Sequence, residues 1–210
     1  MYQEEDWAPG WLAIEESFEK LYPNQKPQHF GTIFPKRAIF GGDQYLDGYS
    51  IYRSPQGFCH IVTFGMSELY TNEESFGGEY SKWGYEMTLK LPIAPDSDYL
   101  WALDLLANLA RYTFTQKRFF EPYQFFPGNE NPIKNGSDSL LTGLLLIEDP
   151  DLPAIQTLHG KVEFIQLFGI TKEESAFIAA EPDQASFLAS TIATSNPHFI
   201  TDLSRSSLYI

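Results

Sequence analysis

Residues 84–116 read GYEMTLKLPIAPDSDYLWALDLLANLARYTFTQ. The first eight alternate strictly, with Tyr85, Met87, Leu89 and Leu91 on one side and Glu86, Thr88 and Lys90 on the other. Side chains along a strand alternate with a period of two, so Gly84–Leu91 is expected to be a half-buried strand. Pro92, which lacks an N–H for the ladder, ends it. The period then changes. Between about Tyr99 and Gln116, Leu105, Leu109, Tyr112 and Gln116 form one helical row, and Ala102, Leu106, Ala110 and Phe114 fill the neighbouring rows. Ser97 or Asp98 is placed to cap the helix. An apolar band this wide fits a helix lying across a sheet.

Moving toward the N-terminus, Phe58–Phe64 and Tyr49–Arg53 read as strands joined by a Pro55/Gly57 turn, a hairpin. Trp11, Ile14, Phe18 and Leu21 share one face of a helix over Trp11–Tyr22, which Pro23 and Pro27 terminate. Moving the other way, Gln124–Phe126, Leu140–Ile147 and Val162–Phe168 read as strands, the last two apolar enough for central positions. Thr171 with Glu174 forms a capping box at the start of a short helix. A further helix is expected over Asp183–Thr194, and Ile200 opens a final strand. Strands and helices are interspersed without regular βαβ alternation. The class is therefore α+β, a mixed β-sheet packed with helices, and 210 residues fit one domain over 1–210.

Cys59 is the only cysteine, which excludes an internal disulfide and a cysteine-rich zinc site. Met1–Trp11 is acidic and has no apolar signal core, and no apolar run reaches the length of a membrane span. The expected compartment is a reducing cytoplasm. Twenty-eight acidic residues against 14 basic ones give a net charge of −14. This charge repels nucleic acid and anionic membrane and suits a basic partner.

No motif selects a reaction. His29, His60, His159 and His198 show no i, i+4 spacing. His60 and Cys59 are neighbours on a strand and point to opposite faces, so they cannot act as a pair, and His60 reads as structural. Gly41-Gly42-Asp43 and Gly77-Gly78-Glu79 lack the Lys-Ser/Thr of a phosphate loop. Asp202 and Arg205 form at most a local ion pair or tail cap. Phe119, Phe120, Phe125 and Phe126 read as core. No catalytic, cofactor-binding or metal residue is assigned.

The order of short blocks along the chain resembles the Suppressor of fused domain family. The blocks are Gly10-Trp11 with Ile14-Glu15, Leu21-Tyr22-Pro23, Gly41-Gly42 with Leu46-Asp47-Gly48, and His60 to Tyr70 (HIVTFGMSELY). They continue with GYEMTLKL at 84–91, Leu109-Ala110-Arg111-Tyr112, Glu148-Asp149-Pro150, and Phe164-Ile165-Gln166-Leu167 with Gly169-Ile170-Thr171, and they close on Ile200-Thr201-Asp202-Leu203 with Arg205. The resemblance implies the fold of the family's N-terminal lobe and a protein-binding role. Larger animal members clamp a peptide of a Gli-type transcription factor between two lobes, and the second lobe is expected to be missing here. Short stand-alone members look bacterial and imply an immunity protein that neutralises a toxin. Phe58-Cys59 stands where the family often has an earlier histidine, so a metal held there elsewhere would not be held by this chain.

Two segments are nominated as a partner surface. The Tyr70–Lys82 connection is long and mixes charge with aromatic anchors: Tyr70, Glu73, Glu74, Phe76, Glu79 and Tyr80. The acidic turn contributes Glu148, Asp149 and Asp151, read as solvated. The expected partner is another protein, a basic toxin domain in the immunity reading. A peptide-binding adaptor is the alternative, and an unrecognised hydrolase a weaker one.

Overall fold

The computed structural model describes residues 7–31, 45–128, 130–181 and 183–210, with the side chains of Asp96 and Ser97 left out. Gly41-Gly42-Asp43 lies outside the described residues. Helix α1 is Pro9–Leu21, α2 Leu100–Gln116, α3 Lys172–Ala180 and α4 Gln184–Ser195. The strands are β1 Gln28–Gly31, β2 Gly48–Arg53, β3 Phe58–Phe64, β4 Tyr80–Pro92, β5 Phe125–Phe126, β6 Leu141–Glu148, β7 Ile155–Thr157 and β8 Gly160–Thr171. They form one sheet in the order β1-β2-β3-β4-β8-β6-β5, with β7 pairing to β8. The β4–β8 pair is parallel and the other pairs are antiparallel, which makes the sheet mixed.

The alternation of β4 sorts the two faces. Tyr85, Met87, Leu89 and Leu91 join Ile61, Leu146, Ile165 and Leu167 beneath α2, where Ala102, Leu106 and Ala110 are fully covered. On the opposite face α1 packs Ile14 and Phe18 against Tyr52, Val62, Phe64 and Phe164. Beside it, α3 and α4 cover Leu145, Ile147, Phe168 and Ile170. Both faces of the central strands are therefore closed, and Glu86, Thr88 and Lys90 are buried rather than solvated. The half-buried strand expected from the alternation is corrected accordingly.

Other boundaries also shift. Tyr99 ends a 3-10 turn, Asp96–Tyr99, and occupies the α2 cap position without a side-chain cap bond, so the cap position is neither Ser97 nor Asp98. The Thr171/Glu174 capping box is present in both directions. Ile200 opens no strand; one bond, Thr201 N–H to the Lys90 carbonyl, ties that segment to β4. Phe120 is core and stacks near Tyr85, but Phe119 is 61% exposed. Arg205 meets Asp202 by its backbone N–H, which donates to the Asp202 carbonyl at 3.1 Å, and the Asp202 carboxylate caps the Ser204 N–H, while the Arg205 guanidinium goes elsewhere. It grips Glu174 through both terminal nitrogens, at 2.7 and 2.8 Å, locking the C-terminal segment onto α3.

Candidate functional site

The connection between β3 and β4 is built rather than loose. Its start is tied to Trp7 and the first turn of α1: Gly10 N–H and Trp11 N–H both reach the Leu69 carbonyl, and Thr71 N–H reaches the Trp7 carbonyl. A Cβ on Gly10 would stand 2.0 Å from the Glu68 carbonyl oxygen, so the helix makes this approach only with glycine. The Tyr70 ring packs 4.7 Å from Trp7. Burial and neighbouring Asp47 push the Tyr70 hydroxyl pKa up to about 12. Glu73–Ser75 then make a 3-10 turn.

The far end is tied to the β7–β8 turn. Gly77 N–H donates to the Leu158 carbonyl at 2.9 Å, Lys161 N–H donates to the Glu79 carbonyl at 3.0 Å, and Asn72 N–H donates to His159 Nε2 at 3.3 Å. Gly160 sits at φ +115°, and a Cβ there would meet the Gly78 carbonyl oxygen at 2.5 Å, so this turn also requires glycine. Together the two segments raise Phe76, 44% exposed, Tyr80, 48% exposed, and Leu158, 58% exposed. Glu73, Glu74 and Glu79 stand exposed among them. Leu158 was absent from the sequence nominations; nothing in its local pattern separates it from a core residue until the hairpin turn is seen.

The acidic turn divides. Glu148 is exposed and Asp151 half-buried, but Asp149 is 4% exposed and cannot meet a partner. It accepts from His60 Nε2 at 2.8 Å, Thr88 Oγ1 at 2.6 Å, Lys90 Nζ at 2.7 Å and the Asp151 N–H at 3.0 Å. The solvated reading of Asp149 is therefore corrected: β4 turns two polar side chains toward it, and an unpaired buried charge there would be costly. Tyr22 Oη lies 3.0 Å from His60 Nδ1. One neutral tautomer satisfies both contacts, with Tyr22 donating to Nδ1 and Nε2–H donating to Asp149. Burial lowers the His60 pKa while Asp149 pulls it up. Burial also opposes charge on Asp149, yet His60 and Lys90 hold its carboxyl well below the usual carboxylate range. With the histidine neutral, its hold on Asp149 is a hydrogen bond and Lys90 is the cation. Lys90 also reaches Asp151 at 2.6 Å, and His198 Nδ1 lies 2.9 Å from that carboxylate.

Lys161 stands at the first nominated segment and shares a cleft lining with the second. Its Nζ stands 5.8 Å from the Tyr80 ring centroid and bonds Glu163 at 2.5 Å. Lys161 also lines a cleft of about 580 Å³, with Glu148, Pro150, Asp151, Pro153 and the Ala189–Ala193 side of α4. Cys59 faces the other side of the sheet from His60, 2.9 Å from Tyr99 Oη. Among the described residues no three His, Cys, Asp or Glu side chains cluster as metal ligands, and no helix is long and apolar enough to cross a membrane.

Residues 42–206 match the family model described as Suppressor of fused protein (SUFU). The chain belongs to the Suppressor of fused family. The human and mouse Suppressor of fused homologs are each 32% identical over 178 residues, covering 79% of this chain and 36% of their own length, so the chain spans about a third of these curated relatives. A Sufu–Fu complex crystal structure contains a chain 25% identical with a TM-score of 0.82, the match covering 97% of this chain and 93% of that one. Drosophila Suppressor of Fused superposes at TM-score 0.81 and 24% identity, over 99% of this chain and 54% of its own. A SUFU homolog from Neisseria gonorrhoeae shares the fold at TM-score 0.66 and 13% identity, over 96% and 97%. The α+β sheet with its covering helices is thus the fold of Suppressor of fused structures.

Proposed function

We propose that this chain binds another protein, without catalysing a reaction, through the face formed by Tyr70–Tyr80 and the Leu158 turn. The observation that carries this reading is the set of exposed apolar side chains, Phe76, Tyr80 and Leu158, held on a hydrogen-bonded platform among Glu73, Glu74 and Glu79. Exposed aromatic anchors ringed by charge are the anatomy of an interface. The Sufu–Fu complex, in which a similar chain occurs, supports a protein as partner. The buried His60–Asp149 pair is closed to solvent and offers a substrate no access.

The partner is a basic protein, drawn by the charge of −14. In the first reading the chain folds as one domain of the bacterial type, acts in the cytoplasm and neutralises a toxin. A regulatory adaptor that adds a peptide strand at a sheet edge is the second reading, favoured by β1 and β5 lying at the two ends of the strand order. Affinity capture with the parent chain and with a Phe76→Ser/Tyr80→Ala bait tests the site. A basic protein held by the parent and lost by the double variant is expected. An acidic partner, or equal capture by both baits, overturns the reading.

A further inference from the structure

His159 carries a bond whose existence depends on its proton state. The ring is fully buried in the β7–β8 turn, 5.2 Å from the Phe76 ring, and its Nε2 accepts the Asn72 N–H at 3.3 Å. An accepting Nε2 places the proton of the neutral ring on Nδ1. Nδ1 has no hydrogen-bond partner among the described residues. A second proton has only Nε2 to occupy, where it would point at the Asn72 N–H, donor against donor. It would also leave a charged ring in a buried site. The other two ties between the loop and this turn, from Gly77 and Lys161, run backbone to backbone and do not titrate.

We propose that His159 is an acid-released latch on the partner-binding loop: neutral, it holds residues 72–78 and the Phe76 side chain against the β7–β8 turn, and protonation lets that segment go. The latch rests on the proposed function only for its consequence, that mild acid would discharge the partner.

The charges around the ring set its direction. Burial lowers the His159 pKa from its ordinary 6.5, with Glu68 acting against it. The elements packed around it also carry Glu73, Glu74 and Glu79 on the loop, Tyr70 and Tyr80 at its ends, and Lys161 on β8. Because the folded pKa is the lower one, the latch contributes fully above about pH 6.5 and is lost as pH falls through the folded value.

The test is read on the free protein, by amide hydrogen exchange followed residue by residue and corrected for intrinsic rates. Protection of Asn72 and Gly77 is expected to fall about tenfold or more between about pH 7.5 and about pH 5, while β4 and β8 keep theirs. In His159→Gln, which retains an acceptor and cannot titrate, protection is expected to stay flat with pH. His159→Phe keeps the ring contact without an acceptor and is expected to be unprotected at both pH values. Loop protection unchanged by acid in the parent, or an equal acid loss in His159→Gln, overturns the latch. Loop opening that leaves partner affinity unchanged would instead sink the assignment of the binding face and leave the latch standing.

Discussion

Lys90 Nζ and Asp149 Oδ1 stand 2.7 Å apart with both side chains closed to solvent. Taking one charge away strands the other in a place where water cannot reach it. Lys90→Met is therefore expected to cost about 3–5 kcal/mol of folding stability. The same change in an Asp149→Asn background is expected to cost clearly less. Urea unfolding of the four proteins checks this, and equal costs in both backgrounds would show that the pair is not coupled.

The acid side of the stability curve follows from the same carboxylate. Asp149 is held below its unfolded value of 3.8 in the folded chain. Its contribution is thus fully present above that value and lost as pH falls toward the folded one. The stability gap between the parent and Asp149→Asn is expected to be constant above about pH 5 and to narrow toward about pH 2. Denaturant titrations at stepped pH measure it; a gap that widens in acid contradicts the assignment.

Glu86 takes five hydrogen bonds, from Thr63 Oγ1, Ser67 Oγ and the N–H groups of Gly65, Met66 and Ser67, at 2.6–3.3 Å. All five partners donate, so a side chain that brings its own N–H groups clashes with one side of the cage. Burial lifts the carboxyl pKa and the bonds oppose that lift. Glu86→Gln is expected to destabilise the fold by about 1–3 kcal/mol, with faster amide exchange at Gly65–Ser67. Parent-like exchange there would show that the cage tolerates an amide.

At the proposed face, charge and apolar area should separate kinetically. Glu73→Lys with Glu74→Lys is expected to slow association and flatten its salt dependence, because rim charges steer approach. Tyr80→Ala is expected to speed dissociation instead. Binding rates at low and high salt distinguish the two, and parent-like rates in both variants would move the interface elsewhere.

The chain order of elements was legible because it is written in periods: two along Gly84–Leu91, 3.6 along Tyr99–Gln116, and a capping box at Thr171. Partnership across the sheet was not. Glu86, Thr88 and Lys90 look like a wet face when the strand stands alone, but the Gly65–Ser67 turn closes on Glu86 and the Asp149 turn on Thr88 and Lys90. The short strands β1 and β7 escaped for a related reason: three or four residues carry too little pattern to be read apart from the neighbours they pair with. At the candidate site, the exposed residues of 70–80 were found from loop length and composition. Leu158 and His159 were missed because their role exists only where a distant hairpin meets that loop.

The parallel pairing of β4 with β8 joins Leu89 to Leu167, 78 residues further along the chain. On the ribosome, β2, β3 and β4 emerge as a complete antiparallel run, and the β4 edge then waits for its partner. At roughly 5–20 residues per second that wait is about 4–16 s. Throughout it, a row of main-chain donors and acceptors backed by Met87 and Leu89 is open to any passing strand. The centre of the sheet is thus the last part of it that synthesis can complete, and the crowded cell acts on the protein during those seconds.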